Sequence, residues 1–301
     1  MNKKIYYYYP PKDPQFFFPK DEFKESSKYY TPYSLKSKCF WYIFLRFDFV
    51  RNKFKTSELK IPLPVSKLRR ILGTENTPIF INLGSKGDQQ TTTVITLNKL
   101  QNKFLKFSNK PTSIDLIKNE AKTLQKLADK TPTLSPNLVA HENTTNYSYL
   151  ITNVIDAKKN KSSILTENIF NFLKLLSEDC FIKSNLMYAF SHGDFCPWNI
   201  LKNKENSLLL VDWEMADYKP LGYDLFTFIF QTNFLLNNKK VKTILSENKS
   251  YILKYFNSFG ITNHGKYLKA FTDIKVEEEK KKKNSKLLIK YIDLHKKNAL
   301  Q

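Results

Sequence analysis

Residues 192–201 read His-Gly-Asp-Phe-Cys-Pro-Trp-Asn-Ile-Leu, and residues 208–214 read Leu-Leu-Leu-Val-Asp-Trp-Glu. Each stretch contains a short apolar run, and the polar residues between the runs are typical of a β-hairpin. Such a hairpin places Asn199 and Asp212 at the same end, and Asp194, in the loop just before it, faces the same point. Three oxygen-bearing side chains at one point predict a site for a hard cation such as Mg²⁺, which prefers carboxylate and amide oxygens.

The order of these residues resembles the signature of a known kinase family. His192 and Asp194 form a His-x-Asp arrangement, four residues separate Asp194 from Asn199, and an apolar strand then ends in Asp212. This is the pattern of the aminoglycoside phosphotransferase and choline kinase family, small-molecule kinases with a protein-kinase-like fold. A chance match to its first half in a chain of this composition has an expectation of roughly 0.02. The resemblance covers about residues 79–230 and is strongest in its second half.

The resemblance implies a role for each matched residue. Asp194 would be the catalytic base that accepts or orients the proton of the substrate hydroxyl, and His192 and Asp224 would order the catalytic loop. Asn199 and Asp212 would hold the magnesium ion that bridges the ATP phosphates.

The resemblance also implies a nucleotide site in the first half of the matched region. Lys106 would contact the phosphates, and Glu120 would hold that lysine. The remaining implied nucleotide contacts are a turn that covers the triphosphate (Ser85, Lys86 and Gly87) and a hinge backbone that receives the adenine (Asn153, Val154 and Ile155).

Residue spacing alone also pairs Lys106 with Glu120. Glu120 falls within the apolar stripe of a predicted helix that begins after an N-cap at Thr112. A carboxylate on the buried side of a helix is costly unless a cation meets it, and Lys106 on the preceding predicted strand is the nearest candidate. A glutamate at the edge of the stripe that reaches water is the open alternative.

The pattern along the chain places strands before helices. Several β-branched or alternating segments predict strands (79–83, 91–97, 102–108, 138–141 and 147–152), and the polar run 158–163 marks a boundary. Later segments have helical spacing (167–176, 225–236 with Asp224 as its N-cap, 244–259 and the tail from 266). This order predicts an α+β, two-lobed protein-kinase-like fold with a small antiparallel-sheet N-lobe and a helical C-lobe. The predicted domains are an aromatic and basic N-terminal extension (1–75), the N-lobe (76–155) and the C-lobe (156–301).

Composition limits the class of protein further. The 301 residues include 41% hydrophobic side chains, which excludes disorder for most of the length. Lys and Arg number 49 against 28 Asp and Glu, and the net charge of +21 favours anionic partners. Three widely spaced cysteines argue against a disulfide scaffold and against paired zinc thiolates. With no secretory signal pattern at its start, the chain is expected to be cytoplasmic.

Residues 38–55 are aromatic with basic flanks, and they allow two interpretations. One is an interfacial helix that makes peripheral contact with anionic lipid at the inner face of the membrane. The other, which we favour, is an element packed against another part of the protein, although periodicity cannot decide for so short an apolar run.

These observations predict an ATP- and Mg²⁺-dependent phosphotransferase that acts on a hydroxyl of a small molecule or of a sugar or glycan precursor. A catalytically inactive pseudokinase that binds or scaffolds is one alternative, and a basic nucleic-acid- or membrane-binding protein is another. No nucleic-acid motif is recognisable, so no specific nucleic acid is expected. Glu214 is a metal ligand, a substrate contact or an exposed residue. The acceptor is not encoded in a motif, because its pocket is built from dispersed side chains.

Overall fold

The computed structural model describes residues 4–32, 34–98, 101–131, 133–160, 162–281 and 285–298. The predicted segments and domains also contain residues outside this description (1–3, 33, 99–100, 132, 161, 282–284 and 299–301). The chain folds into two compact units. The sheet unit comprises residues 1–132 and 136–155, and the helical unit comprises residues 133–135 and 156–301.

An eight-stranded antiparallel sheet forms the framework of the sheet unit, in the order β3-β1-β2-β4-β5-β6-β8-β7. Its strands are β1 (Ile5–Tyr9), β2 (Phe16–Pro19), β3 (Lys55–Ser57), β4 (Ile79–Asn82), β5 (Thr92–Thr96), β6 (Lys103–Ser108), β7 (Leu138–Asn143) and β8 (Ser148–Asn153). Its helices are α1 (Phe23–Ser26), α2 (Leu35–Arg46), α3 (Asp48–Arg51), α4 (Val65–Leu72) and α5 (Pro111–Lys130).

Around β1, β2 and β4 the sheet is buried on both faces, which explains the runs of apolar residues in these strands. On β4, Ile79 and Ile81 pack with the α4 residues on one face, and Phe80 packs with an aromatic cluster around α2 on the other. On β1, Tyr6 and Tyr7 alternate between the same two clusters. The alternation of a strand is therefore present, but both of its faces are apolar.

Residues of the predicted N-terminal extension lie within this sheet. Strand β2 pairs with β4 through Phe16 opposite Asn82 and Phe17 opposite Ile81. Strands β1 and β3 continue the sheet beyond β2. Strands before residue 76 therefore belong to the same sheet as the strands that the sequence pattern predicts from residue 79 onward.

The helical unit contains six further strands and five α-helices among its described residues. The strands are β9 (Lys158–Lys159), β10 (Cys180–Lys183), β11 (Leu186–Ser191), β12 (Ile200–Lys202), β13 (Leu208–Leu210) and β14 (Asp217–Pro220). The helices are α6 (Glu167–Leu176), α7 (Tyr223–Phe226), α8 (Val241–Asn257), α9 (Gly265–Lys281) and α10 (Ser285–Asn298). With an antiparallel sheet in one unit and mostly helix in the other, the structure confirms the predicted α+β class.

Two predicted helix starts are wrong. Helix α5 begins at Pro111, whose fixed φ suits the first helical position, and no side chain caps it, so Thr112 is not its N-cap. Gly222, not Asp224, is the N-cap of α7. The Asp224 carboxylate does not cap the helix and instead accepts the backbone amides of another segment. Residues 227–231 and 233–237 then continue as π-helical turns rather than as a regular α-helix.

The described part of the chain includes no helix long and apolar enough to cross a bilayer.

Candidate active site

The loop between β11 and β12, residues 192–199, is fixed at its start by Asp224. This buried carboxylate accepts the backbone N–H of His192 at 2.6 Å and that of Gly193 at 3.0 Å. Burial raises the pKa of the Asp224 carboxyl, although His192 and the two N–H groups favour its charged form. A carboxylate that satisfies two adjacent amides sets the direction in which the loop leaves the strand.

Gly193 allows a close backbone approach at this point. Its φ is +85°, and a Cβ atom there would lie 2.1 Å from the carbonyl oxygen of Met215. Only glycine fits such a contact, so any larger residue would displace the loop from the segment that follows Asp212.

His192 holds the loop from the inside. Its Nε2 lies 3.0 Å from the carbonyl oxygen of Val211, and its Nδ1 accepts the backbone N–H of Asp194 at 3.3 Å. Its ring is fully buried and lies against Trp213, with 4.6 Å between the ring centroids. These contacts join the segments that carry Asp194 and Asp212. They are the contacts expected if His192 orders the loop.

Asp194 is half-buried, and neutral donors hold both of its carboxylate oxygens. The Asn199 amide donates to Oδ2 at 2.9 Å and to the Asp194 backbone carbonyl at 2.9 Å. The Gln231 amide donates to Oδ1 at 2.7 Å, and the thiol of Cys196 lies 3.6 Å from the same atom. These contacts fix the orientation of the carboxylate without bringing a cation into contact with it.

The predicted hairpin is formed by β12 and β13, with Ile200 opposite Leu210. The backbone N–H of Val211 donates to the carbonyl of Asn199 at 3.0 Å, so Asn199 and Asp212 share one end of the hairpin. Asp212 has a φ of +70°, an uncommon conformation for a residue other than glycine and one that clusters at functional sites. Glu214 lies half-buried in the short helix 213–215 that follows.

The donor set at this end of the hairpin fits a magnesium ion. The Asn199 amide gives its N–H groups to Asp194, so its oxygen is the atom it offers to a cation. An amide oxygen and the Asp212 carboxylate are hard ligands of the kind that Mg²⁺ prefers alongside phosphate oxygens and water.

Three residues around Asp194 were not predicted. Gln231 lies in the first π-helical turn, a feature frequent at functional sites, and its Oε1 lies 3.5 Å from the Tyr291 hydroxyl. Burial, reinforced by the charge of Asp194, raises the pKa of the Cys196 thiol, which keeps it protonated. Lys275 is buried and pairs with Glu278 at 3.2 Å.

In the sheet unit, the predicted ion pair between Lys106 and Glu120 is confirmed. The Lys106 ammonium lies 2.7 Å from Glu120 Oε2, and both side chains are buried. Strand β6 carries the lysine, and α5 carries the glutamate. Ile117 and Ala121, on the same stripe of α5 as Glu120, pack against β8, so the glutamate faces the sheet. The pairing offsets the cost of burying either charge alone.

The turn that contains Ser85, Lys86 and Gly87 joins β4 to β5 and is exposed. Lys86 makes a surface ion pair with Asp13 at 2.8 Å. Gly84 anchors the turn, because its φ is +73° and a Cβ atom would lie 2.2 Å from the carbonyl oxygen of Thr91.

Asn153 ends β8, and Val154 and Ile155 follow it half-buried. Val154 donates its backbone N–H to the carbonyl of Asn102 at 3.0 Å. The predicted hinge is thereby attached to the start of β6, the strand that carries Lys106.

Comparison with known proteins supports the class that this geometry suggests. Residues 167–238, which include Asp194, Asn199, Asp212 and Gln231, match the model of the phosphotransferase enzyme family. The predicted resemblance to aminoglycoside phosphotransferases and choline kinases is confirmed by this match. No curated protein matches the chain.

Solved structures of low sequence identity share the fold. LicA, the choline kinase of Streptococcus pneumoniae, in complex with AMP is 12% identical over 78% of this chain and 95% of its own, with a TM-score of 0.52. A spectinomycin phosphotransferase with ADP and spectinomycin is 13% identical over 73% of this chain and 87% of its own, with a TM-score of 0.50. The GDP complex of an aminoglycoside 2'-phosphotransferase is 9% identical over 78% and 96%, with a TM-score of 0.50. The fold is therefore kinase-like.

Proposed function

We propose that this protein transfers the γ-phosphoryl group of ATP, in a magnesium-dependent reaction, to a hydroxyl of a small molecule or of a sugar or glycan precursor. The observation that carries the proposal is the hydrogen bond from Asn199 to the Asp194 carboxylate at 2.9 Å, made at the end of the hairpin where Asp212 follows Val211. This contact joins the proposed base directly to one of the proposed metal ligands, and the hairpin places the other ligand at the same end.

Asp194 acts in this proposal as the base that receives and orients the acceptor hydroxyl. Phosphoryl transfer requires alignment of the attacking oxygen more than covalent chemistry, so a fixed carboxylate suffices. Asn199 and Gln231 supply that fixity from two sides. Because both are neutral, they orient the carboxylate without the compensation of charge that a lysine or arginine in direct contact would bring.

Asn199 and Asp212 are the proposed magnesium ligands. When bound, the ion would neutralise charge on the phosphate oxygens. The left-handed backbone of Asp212 turns its side chain away from the regular strand direction, and His192 stabilises that turn through the carbonyl of Val211. The neighbouring Glu214 is proposed as a further carboxylate of this site.

The sheet unit is proposed to bind the nucleotide. Lys106, held by Glu120 at 2.7 Å, would contact the phosphates, and the turn around Ser85, Lys86 and Gly87 would cover them. The backbone of residues 153–155 would receive the adenine. The similar proteins bound to AMP, ADP and GDP support a nucleotide as the phosphoryl donor.

The test of this function separates nucleotide binding from turnover. Titration calorimetry measures ATP affinity with and without Mg²⁺ for the wild type, for Asp212→Ala and for Lys106→Ala. We expect Asp212→Ala to lose the magnesium-dependent part of the affinity and Lys106→Ala to bind more weakly in both conditions. Glu205→Ala, which removes an exposed carboxylate from the turn of the same hairpin, is the matched control.

Turnover is measured as ATP consumption against a panel of hydroxylated metabolites, sugars and amino alcohols. An acceptor that stimulates consumption in the wild type and not in Asp194→Asn identifies both the substrate and the base. Magnesium-dependent ATP binding without transfer to any acceptor would instead identify the protein as a pseudokinase. Unchanged ATP binding by Asp212→Ala would contradict the metal assignment.

A further inference from the structure

Helix α2 is apolar on two opposite sides. Its inner side carries Trp41 and Phe44, which are buried in the aromatic cluster of the sheet unit. Its outer side leaves Leu35 79% and Tyr42 65% exposed. An α-helix that covers a core normally presents polar residues to solvent, so the outer side of α2 lacks the expected pattern.

The exposed residues form a continuous surface. Leu35, Cys39, Tyr42 and Ile43 recur at the spacing of one helical stripe, and at about 100° per residue this stripe is opposite Trp41 and Phe44. We call this stripe, together with Phe47 between the two helices and Phe49 in α3, the outer face, and it consists of Leu35, Cys39, Tyr42, Ile43, Phe47 and Phe49.

Two aromatic rings extend the outer face beyond the end of α2. Phe47 and Phe49 lie with their ring centroids 5.7 Å apart, and Phe49 is 66% exposed. Single exposed apolar residues are ordinary, but several that adjoin one another mark a surface that binds something.

Exposed cations lie on and next to the helices that carry the outer face. Lys36 and Lys38 lie on α2 on either side of the stripe, Arg46 ends the helix, and Lys53 and Lys55 follow α3; all five are exposed. The acidic residue among them, Asp48, pairs with Arg51. An apolar surface with a border of cations matches a bilayer that carries anionic lipid headgroups.

Contacts on the inner side and at the ends of α2 hold the outer face in its conformation. The Arg51 guanidinium donates to the carbonyls of Phe44 at 2.8 Å and Leu45 at 2.7 Å and lies 4.7 Å from the centroid of the Phe23 ring. At the other end of α2, the Ser34 hydroxyl accepts the N–H of Ser37 at 3.1 Å as an N-cap. These contacts within the chain therefore fix the turn from α2 into α3 before the outer face binds anything.

We propose that the outer face docks the protein on anionic membranes, with α2 lying in the plane of the interface. The apolar side chains enter the boundary between headgroups and acyl chains, and the surrounding lysines and Arg46 meet lipid phosphates. A second copy of the chain is a poorer occupant because two molecules of net charge +21 repel one another. Nucleic acid is also a poorer occupant, because the aliphatic Leu35 and Ile43 lie in the same stripe as Tyr42 and leave no continuous aromatic platform for base stacking. The proposal does not depend on the phosphotransferase reaction.

The test is co-sedimentation of the full chain with vesicles of phosphatidylcholine alone and of equimolar phosphatidylcholine and phosphatidylserine. We expect binding to the anionic vesicles, weakened by added salt. For a variant with Tyr42→Ser, Phe47→Ser and Phe49→Ser, we expect the vesicle partition coefficient to fall roughly tenfold or more, because the variant lacks apolar area that enters the interface. Lys36→Ser and Lys38→Ser lower binding roughly fivefold for each cation removed.

The control replaces two apolar residues that are equally exposed elsewhere, Ile182→Ser and Ile289→Ser, and should bind vesicles like the wild type. Circular dichroism and thermal unfolding establish that each variant folds. The proposal is overturned if the wild type does not bind anionic vesicles or if the outer-face variant binds them equally well. A dimer that light scattering detects in the wild type and not in the outer-face variant, without vesicle binding, would identify a second copy as the occupant and also overturn it.

Discussion

Arg69 in the sheet unit and Asp194 in the helical unit are charged side chains that are held in different ways. In the sheet unit, the buried Arg69 guanidinium donates to both oxygens of Glu58, at 3.0 and 2.8 Å, to the Tyr6 hydroxyl at 3.1 Å and to the carbonyl of Thr77 at 2.7 Å. In the helical unit, Asp194 is half-buried and is held by the amides of its neighbours. The Arg69 charge is compensated by the Glu58 carboxylate, whereas the Asp194 carboxylate is oriented by the dipoles of neutral amides.

We propose that this difference separates a structural charge, Arg69, from a reactive one, Asp194. A guanidinium whose nitrogens all have partners gains nothing by moving and offers nothing to a substrate. A half-buried carboxylate oriented by neutral donors can present an oxygen atom to an acceptor hydroxyl, which a base requires. The predictions below test whether the Arg69 group acts on stability alone and the Asp194 group on turnover alone.

The largest expected effect follows from Asp194→Asn, which keeps the shape of the side chain and removes its basicity. We expect turnover of the acceptor identified by screening to fall on the order of a thousandfold, while ATP affinity changes little. Steady-state kinetics and titration calorimetry measure the two quantities. Asp217→Asn, at an exposed position of the same unit, is the control. Turnover within a few-fold of the wild type would remove Asp194 from the mechanism.

Next in size is the effect of Arg69→Met on stability. The substitution keeps much of the side-chain volume and leaves the partly buried Glu58 carboxylate without its cation, so the free energy of unfolding should fall by about 3 kcal/mol. Denaturant unfolding measures it. Arg70→Met, at an exposed neighbouring position on α4, should change it little. An undiminished free energy of unfolding would show that the Arg69 group is not a stabilising element.

Gln231→Ala should have a smaller effect, confined to turnover. It removes the donor to Asp194 Oδ1 but leaves the Asn199 contact, so we expect kcat to fall roughly tenfold with the KM for ATP unchanged. Gln231→Glu should be worse, because it places a second carboxylate where the amide now donates at 2.7 Å. Equal kcat values for the alanine and glutamate variants would indicate that Gln231 acts only through packing.

The sequence predicted the parts of the fold whose side-chain pattern repeats locally. Strand β4 and helix α6 lie where alternation or helical spacing placed them, and the Lys106–Glu120 pair followed from the cost of a carboxylate within an apolar stripe. The hairpin that brings Asn199 and Asp212 together was predictable because both of its strands are short and apolar. Each of these inferences uses contacts between residues close in sequence.

What the sequence did not predict depends on contacts between distant segments. Asp224 precedes an apolar run like an N-cap, yet its carboxylate accepts the amides of His192 and Gly193; only the family resemblance, and no local pattern, assigned it to the catalytic loop. Gln231 stands in an apolar run, where one polar residue gives no sign of its partner. The strand around Tyr6 is apolar on both faces, so it lacks the alternation by which a half-buried strand is recognised.

The smallest effect concerns pH and returns to the Arg69 group. Partial burial acts to raise the pKa of the Glu58 carboxyl, but the hydrogen bonds and charge of Arg69 outweigh burial and lower it below its ordinary value of 4.5. A carboxyl whose pKa is lower in the folded state stabilises that state above the ordinary pKa, and this contribution is lost as pH falls through the lower, folded value. Denaturant unfolding between neutral and acidic pH should therefore show a loss of stability below pH 4.5 that Glu58→Gln diminishes. An acid slope that Glu58→Gln leaves unchanged would contradict a stabilising role for the Glu58–Arg69 pair.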